Sequence, residues 1–211
     1  MNATSRNHRP ARSAAITTGR RATPQRTARF LSERSGLALL TAAVGATATA
    51  GTLLVAAAVR VTIAAPVRER LGYTFRGLPA RPDVAVGIFA HNSRVIIGVF
   101  GLLLVAQIAA REAGGPGRPQ RVMVTVGEVI IAGVVCANVL FVGAALGAYC
   151  PRMVGAVLPH GPIELTAYSL ALGLYFQGRR RALPAAAMAR GAALSVALLA
   201  VAAFLETFVT V

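Results

Sequence analysis

Apolar runs of membrane-crossing length recur along this chain, at residues 37–59, 84–110, 122–149, 153–177 and 191–211. A bilayer core about 30 Å thick takes about 20 residues of α-helix. Lipid offers the backbone no hydrogen bonds, so a spanning segment must be a helix or part of a closed barrel. Runs of this length read as transmembrane helices. Their recurrence specifies an all-α, polytopic helical membrane protein of about five transmembrane helices. Composition agrees, with 55% hydrophobic residues and a mean hydropathy of +0.63.

The formal net charge of +15 is carried by arginine, with no lysine in the chain. The arginines lie mainly in a tail and in loops beside apolar runs, which argues against nucleic acid as a partner and for a lipid bilayer. Residues 1–35 hold eight Arg and little aliphatic periodicity, and are expected to form a disordered cytoplasmic tail ahead of a transmembrane domain over 36–211. The apolar run after the tail is too long for a cleaved signal peptide and reads as an uncleaved anchor. With the N-terminus inside, fifteen arginines fall on the cytoplasmic side and six outside, so the positive-inside rule places the N-terminus inside and the C-terminus outside. Residues 60–83 form a Pro- and Gly-containing linker with a short amphipathic turn expected around Val67 to Phe75.

The fourth run is interrupted by Leu158-Pro159-His160-Gly161-Pro162-Ile163-Glu164. Two prolines and a glycine break the helix there, and membrane proteins tolerate such breaks where protein or a wet cavity covers them. Other polar residues fall at a similar depth. His91 and Asn92 lie about 11–12 Å into the second run, and Asn138 and Glu206 about 24 Å into the third and fifth, which run the opposite way. With Arg94, His160, Gly161 and Glu164 they form an expected polar layer for contact with a partner or ligand, since intramembrane ionisable groups usually face the bundle interior. Arg94 is expected to pair with Glu164 or Glu206. Glu164 also has a structural reading: with Gly161 as N-cap it is the third helical residue, where a carboxylate caps backbone N–H groups.

Cys136 and Cys150 are too far apart along one helix for a disulfide and are read as packing residues. Gly143-Ala144-Ala145-Leu146-Gly147 is a GxxxG helix-packing motif. No zinc spacing, phosphate loop or nucleophile elbow is present, so no cofactor, metal or catalytic residue is assigned and an enzyme is the less favoured class.

Three blocks carry a resemblance. Leu158-Pro159-His160-Gly161-Pro162-Ile163-Glu164-Leu165-Thr166-Ala167 is similar to the H-G-x-x-E-L-x-A signature of the stage II sporulation protein M family. Ala202-Ala203-Phe204-Leu205-Glu206-Thr207-Phe208-Val209-Thr210 resembles that family's A-A-x-x-E-G-F-x-T ending. Asn92 to Gly101, with Asn138 and Gly143, resembles its Asn and Gly pattern. His91, Val139 and Thr207 depart from that pattern, standing in place of Asn, Gly and Gly. The resemblance implies a non-catalytic bacterial cytoplasmic-membrane protein. In spore formers that family acts with membrane-anchored peptidoglycan-cleaving proteins during engulfment of the forespore, so the implied partners are cell-envelope or peptidoglycan-remodelling proteins. The alternatives are a transport-type subunit that binds a small ligand at the polar layer, and an intramembrane metal-dependent hydrolase.

Overall fold

A computed structural model describes residues 24–75, 79–111 and 117–209, with side chains from Ser35 onward. These residues form seven helices: α1 (Pro24–Thr62), α2 (Ala64–Leu71), α3 (Pro82–Ala109), α4 (Arg118–Tyr149), α5 (Arg152–Val157), α6 (Gly161–Arg180) and α7 (Ala185–Phe208). Four stretches are long and apolar enough to cross a membrane: Ser35–Thr62 of α1, and the whole of α3, α4 and α7. The chain is a helical, multi-pass membrane protein. Residues 1–23 of the expected disordered tail lie outside the described residues, but 24–35 are helical and extend α1 continuously.

Local chemistry sets most boundaries. α3 and α4 each begin with proline in the first turn, where no intrahelical N–H is needed, and Asp83 adds a carboxylate to the positive end of α3. α2 is the expected amphipathic turn and ends at Gly72, whose φ of 60° is the left-handed conformation that glycine adopts without strain. Beyond it, Tyr73, Phe75 and Tyr149 form an aromatic cluster. The Tyr149 hydroxyl donates to the Arg68 carbonyl oxygen (2.8 Å) and accepts from the Tyr73 N–H (3.0 Å), pinning α2 to the end of α4. Burial, and secondarily Tyr149, hold the Tyr73 hydroxyl above its ordinary pKa, so it stays neutral.

Paired contacts give the helix directions. A Cβ on Gly143 would lie 2.7 Å from both the Thr52 carbonyl oxygen and Val55 Cβ, and Gly147 faces Ala56 and Val59 in the same way. α1 and α4 are therefore parallel, with the GxxxG glycines seating α1 against α4. Gly45 meets Ser169 and Gly173 meets Thr41, so α6 runs antiparallel to α1. Gly191 meets Leu174 while Leu199 packs with Ala167, so α7 returns antiparallel to α6.

α6 is the central element, packed by α1, α3 and α7. Ala167, Ser169, Ala171 to Tyr175, Gln177 and Gly178 are all buried. Small residues at Ala167, Ser169, Ala171 and Gly173 permit close approach of the surrounding helices, as membrane interfaces require. Packing against α1, α3 and α7 explains why α6 is less apolar than the four candidate crossings: much of its surface meets side chains of the protein. Both cysteines are free and exposed, so neither is the packing residue expected; each falls on an outward part of α4 or its cap.

Candidate functional site

The break expected in the fourth run is present, between α5 and α6. Pro159 supplies no N–H, and Pro162 occupies the first turn of α6, so the chain turns through Leu158 to His160 and restarts. His160 is the N-cap residue, one position earlier than expected, and its carbonyl oxygen accepts from the Ile163 and Glu164 N–H groups. The Glu164 side chain does not cap its own helix. It crosses to α3, where Asn92 Nδ2 donates to Glu164 Oε1 (2.5 Å).

A second tie joins the same helices at their other ends. Gln107 Nε2 donates to the Gly178 carbonyl oxygen (2.6 Å) and to that of Arg181 (3.2 Å), while Gln107 Oε1 accepts from the Leu183 N–H (2.9 Å). Asn92 pairs with Glu164 and Gln107 with Gly178, so α3 and α6 run parallel with a nearly constant register. Asn92 is about 15 Å into α3 and Glu164 about 5 Å into α6, at about 1.5 Å per residue. The start of α6 is thus set about 10 Å below that of α3, and the polar cluster is recessed.

Three elements converge there. His160, on the break, is buried, and its Nδ1 has no hydrogen-bond partner. Glu206, half-buried near the end of α7, lies close enough to act electrostatically on His160 and Glu164. The antiparallel register of α6 and α7 carries it there: continuing from Leu174 opposite Gly191, residue 206 falls opposite the start of α6. Tyr168, one turn after Glu164, donates to the Asn92 carbonyl oxygen (3.5 Å) and also senses both carboxylates. Tyr168 was absent from the expected layer. Its (i, i+4) relation to Glu164 is the signal that points to it.

Asn92, His160, Gly161, Glu164 and Glu206 are thus gathered at or beside the break, but His91, Arg94 and Asn138 are not. All three are exposed. At about 100° per residue, His91 and Arg94 are turned about 100° and 200° from Asn92 and leave the face that meets α6. Arg94 pairs with neither Glu164 nor Glu206; the ion pairs among the described residues are Arg81–Asp83 and Arg179–Glu128. Asn138 Nδ2 donates to the Val134 carbonyl oxygen of its own helix (2.9 Å).

Glu128 is engaged at the opposite end of α6. Its Oε1 accepts from the Tyr175 hydroxyl (2.6 Å) and from Arg179 Nε (2.9 Å), tying α4 to α6. The pair is partly exposed, which limits its worth. Glu128→Ala is expected to lower stability by about 1 kcal/mol, seen as an earlier thermal transition of the detergent-solubilised protein. An unchanged transition would reduce this tie to a surface contact.

As to chemistry, the recessed cluster can accept a hydrogen-bond donor at a carboxylate and offer the His160 ring. Among the described residues, no three His, Cys, Asp or Glu side chains are grouped to hold a metal ion. No protein-family model, curated protein or solved structure matches this chain.

Proposed function

We propose that the protein is a multi-pass scaffold of the bacterial cytoplasmic membrane, of the stage II sporulation protein M type, that assembles cell-envelope or peptidoglycan-remodelling proteins. One observation carries the reading. The blocks that bear the family resemblance lie far apart in sequence, yet Asn92, His160–Glu164 and Glu206 meet at one recessed cluster. Residues gathered this way, with no nucleophile–base pair or metal-ligand group among them, suit the specification of a helix arrangement or a partner contact better than a reaction.

In this reading α6 is a fifth crossing. It is 20 residues long, about 30 Å, which matches the hydrocarbon core. Its direction, opposite to α1, α4 and α7 and shared with α3, is that of a chain crossing five times with alternating sense. Arg179 and Arg180 at its end and Arg118 at the start of α4 then lie inside with the tail, and the polar cluster opens toward the outside.

The test is co-purification from native membranes of wild type and Glu164→Gln, followed by mass spectrometry. Glutamine keeps an acceptor for Asn92 and removes the charge, so the fold is expected to persist. Envelope or peptidoglycan-active proteins are expected with wild type and at least fivefold depleted with the variant. Equal recovery from both would remove the cluster from partner binding. A second reading, a transport-type subunit, is favoured by the buried, unpartnered Nδ1 of His160, beside the cluster. It calls for ligand-dependent protection of residues 158–164 in hydrogen exchange, which a scaffold does not.

A further inference from the structure

The outward face of α3 holds a charge that none of the described residues answers. Arg94 lies about 18 Å from one end of α3 and about 22 Å from the other, by the helical rise. Its side chain is exposed, and no hydrogen bond or ion pair engages it among the described residues. An arginine near a helix end reaches the headgroups by extending along the helix, but one at the middle is too deep to do so. A guanidinium left in lipid there is costly.

The surroundings of Arg94 are shaped for another helix. Gly87, Arg94 and Gly101 follow one another at seven-residue intervals along the outward face, the repeat by which two helices stay in contact over several turns. Ala90, His91 and Gly98 flank them. A Cβ added to Gly87, Gly98 or Gly101 would meet nothing within 4 Å, so this small-residue seam is not used for packing inside the protein. GxxxG glycines elsewhere in the same chain, Gly143 and Gly147, do seat a neighbouring helix.

We infer that the Gly87–Arg94–Gly101 face of α3 docks a transmembrane helix of a different protein, one that carries an aspartate or glutamate near its middle to pair with Arg94. Charge decides against a second copy of this chain. A parallel α3–α3 contact would set Arg94 against Arg94, and an antiparallel one needs copies inserted in opposite senses, against the arginine bias. Among the described residues, no carboxylate within the spans of a second copy is left to reach out: Glu164 is bonded to Asn92, Glu128 is bonded to Tyr175 and Arg179, and Glu206 lies half-buried beside the cluster. The inference rests on the assembly reading for the existence of a membrane partner, but it names a different surface from the recessed cluster.

The experiment places a photo-crosslinking residue at Gly98, which has open space, in the full chain in the membranes of its native cells. The expected result is an adduct to a membrane-spanning protein with a carboxylate in mid-span. Its yield should fall at least tenfold with Arg94→Gln, while thermal stability stays unchanged, as suits an exposed side chain. With Arg94→Glu the adduct should be lost, and should return when the partner's carboxylate is changed to arginine. An adduct to lipid alone, an adduct to a second copy, a partner span lacking a carboxylate, or a yield indifferent to Arg94→Gln would each overturn the inference. A charge-dependent partner with no envelope role would overturn the assembly reading instead and leave the docking face standing.

Discussion

Gln107→Leu is expected to be among the most destabilising single substitutions in this protein, by about 2–3 kcal/mol. Gln107 is buried and serves three backbone groups at once: the Gly178 and Arg181 carbonyl oxygens and the Leu183 N–H. The last carbonyls of a helix have no partner within it. Gly178 and Leu183 are buried, so a side chain from α3 completes the hydrogen bonding of the α6–α7 turn. An interhelical hydrogen bond in a membrane protein contributes about 0.6 kcal/mol on average and up to about 1.7. Leucine removes three together and leaves buried groups unpaired, which raises the cost above that of a single bond. Gln107→Glu should be at least as damaging. It retains an acceptor for Leu183 but faces two carbonyl oxygens with a charge at the negative end of α6. Thermal unfolding of the detergent-solubilised protein, followed by loss of the monodisperse peak, checks both. If the leucine variant unfolds within about 0.5 kcal/mol of wild type, the turn has another source of order.

The role of Gln107 was not legible in the sequence, and the reason is specific. A glutamine at the end of an apolar run ordinarily faces headgroups or water. Its importance comes from the parallel register of α3 and α6, which brings the end of a helix some 70 residues later to its side chain. That register is a tertiary fact. The recessed cluster was more legible, because depth along a span follows from counting residues, and the counted depths of Asn92, Glu164 and Glu206 do bring them together. What depth omitted was azimuth. His91 and Arg94 share the level of Asn92 within a turn but point elsewhere, and the buried positions Ser93, Ile96, Val99 and Leu103 of the same helix mark the inward face that excludes them. Applied to the α3 sequence, the 3.6-residue period would have separated Arg94 from Asn92 at the outset.

The break itself shows the opposite balance. Pro159, Gly161 and Pro162 state locally that the helix cannot continue, so its position was legible to within one residue. The side chain of Glu164 was not, because an acidic residue in a first turn suits a local cap and a tertiary hydrogen bond equally well until α3 is in place. The helical stretch at 24–35 was missed for a related reason. Its arginine-rich composition lacks an apolar face, and there the helix propagates backward from the long apolar part of α1 rather than forming on its own.

The contact between α1 and α4 should be the most sensitive to added volume. Gly143 and Gly147 stand one turn apart and are both buried, and each has α1 directly over its Cα. At Gly143 even a methyl would sit 2.7 Å from the Thr52 carbonyl oxygen, and at Gly147 it would sit 3.0 Å from Val59 Cβ. Backbone and β-branched side chains cannot swing aside, so relief requires α1 to move away as a whole. Overpacking usually costs about 1–3 kcal/mol per site. A rigid displacement also forfeits the close backbone approach on which helix association in lipid depends. Gly143→Val with Gly147→Val is therefore expected to cost more than 3 kcal/mol, whereas Gly133→Val, on the same helix with open space around it, should be nearly neutral. The decisive measurement is a disulfide between cysteines placed at Gly51 and Val139, a pair already in contact across this interface. Its formation in the membrane should be efficient in an otherwise wild-type background and in Gly133→Val, and abolished in the double valine variant. Efficient crosslinking in the double variant would mean that α1 is held by its contacts with α6 instead, and that the GxxxG glycines merely tolerate the neighbour they face.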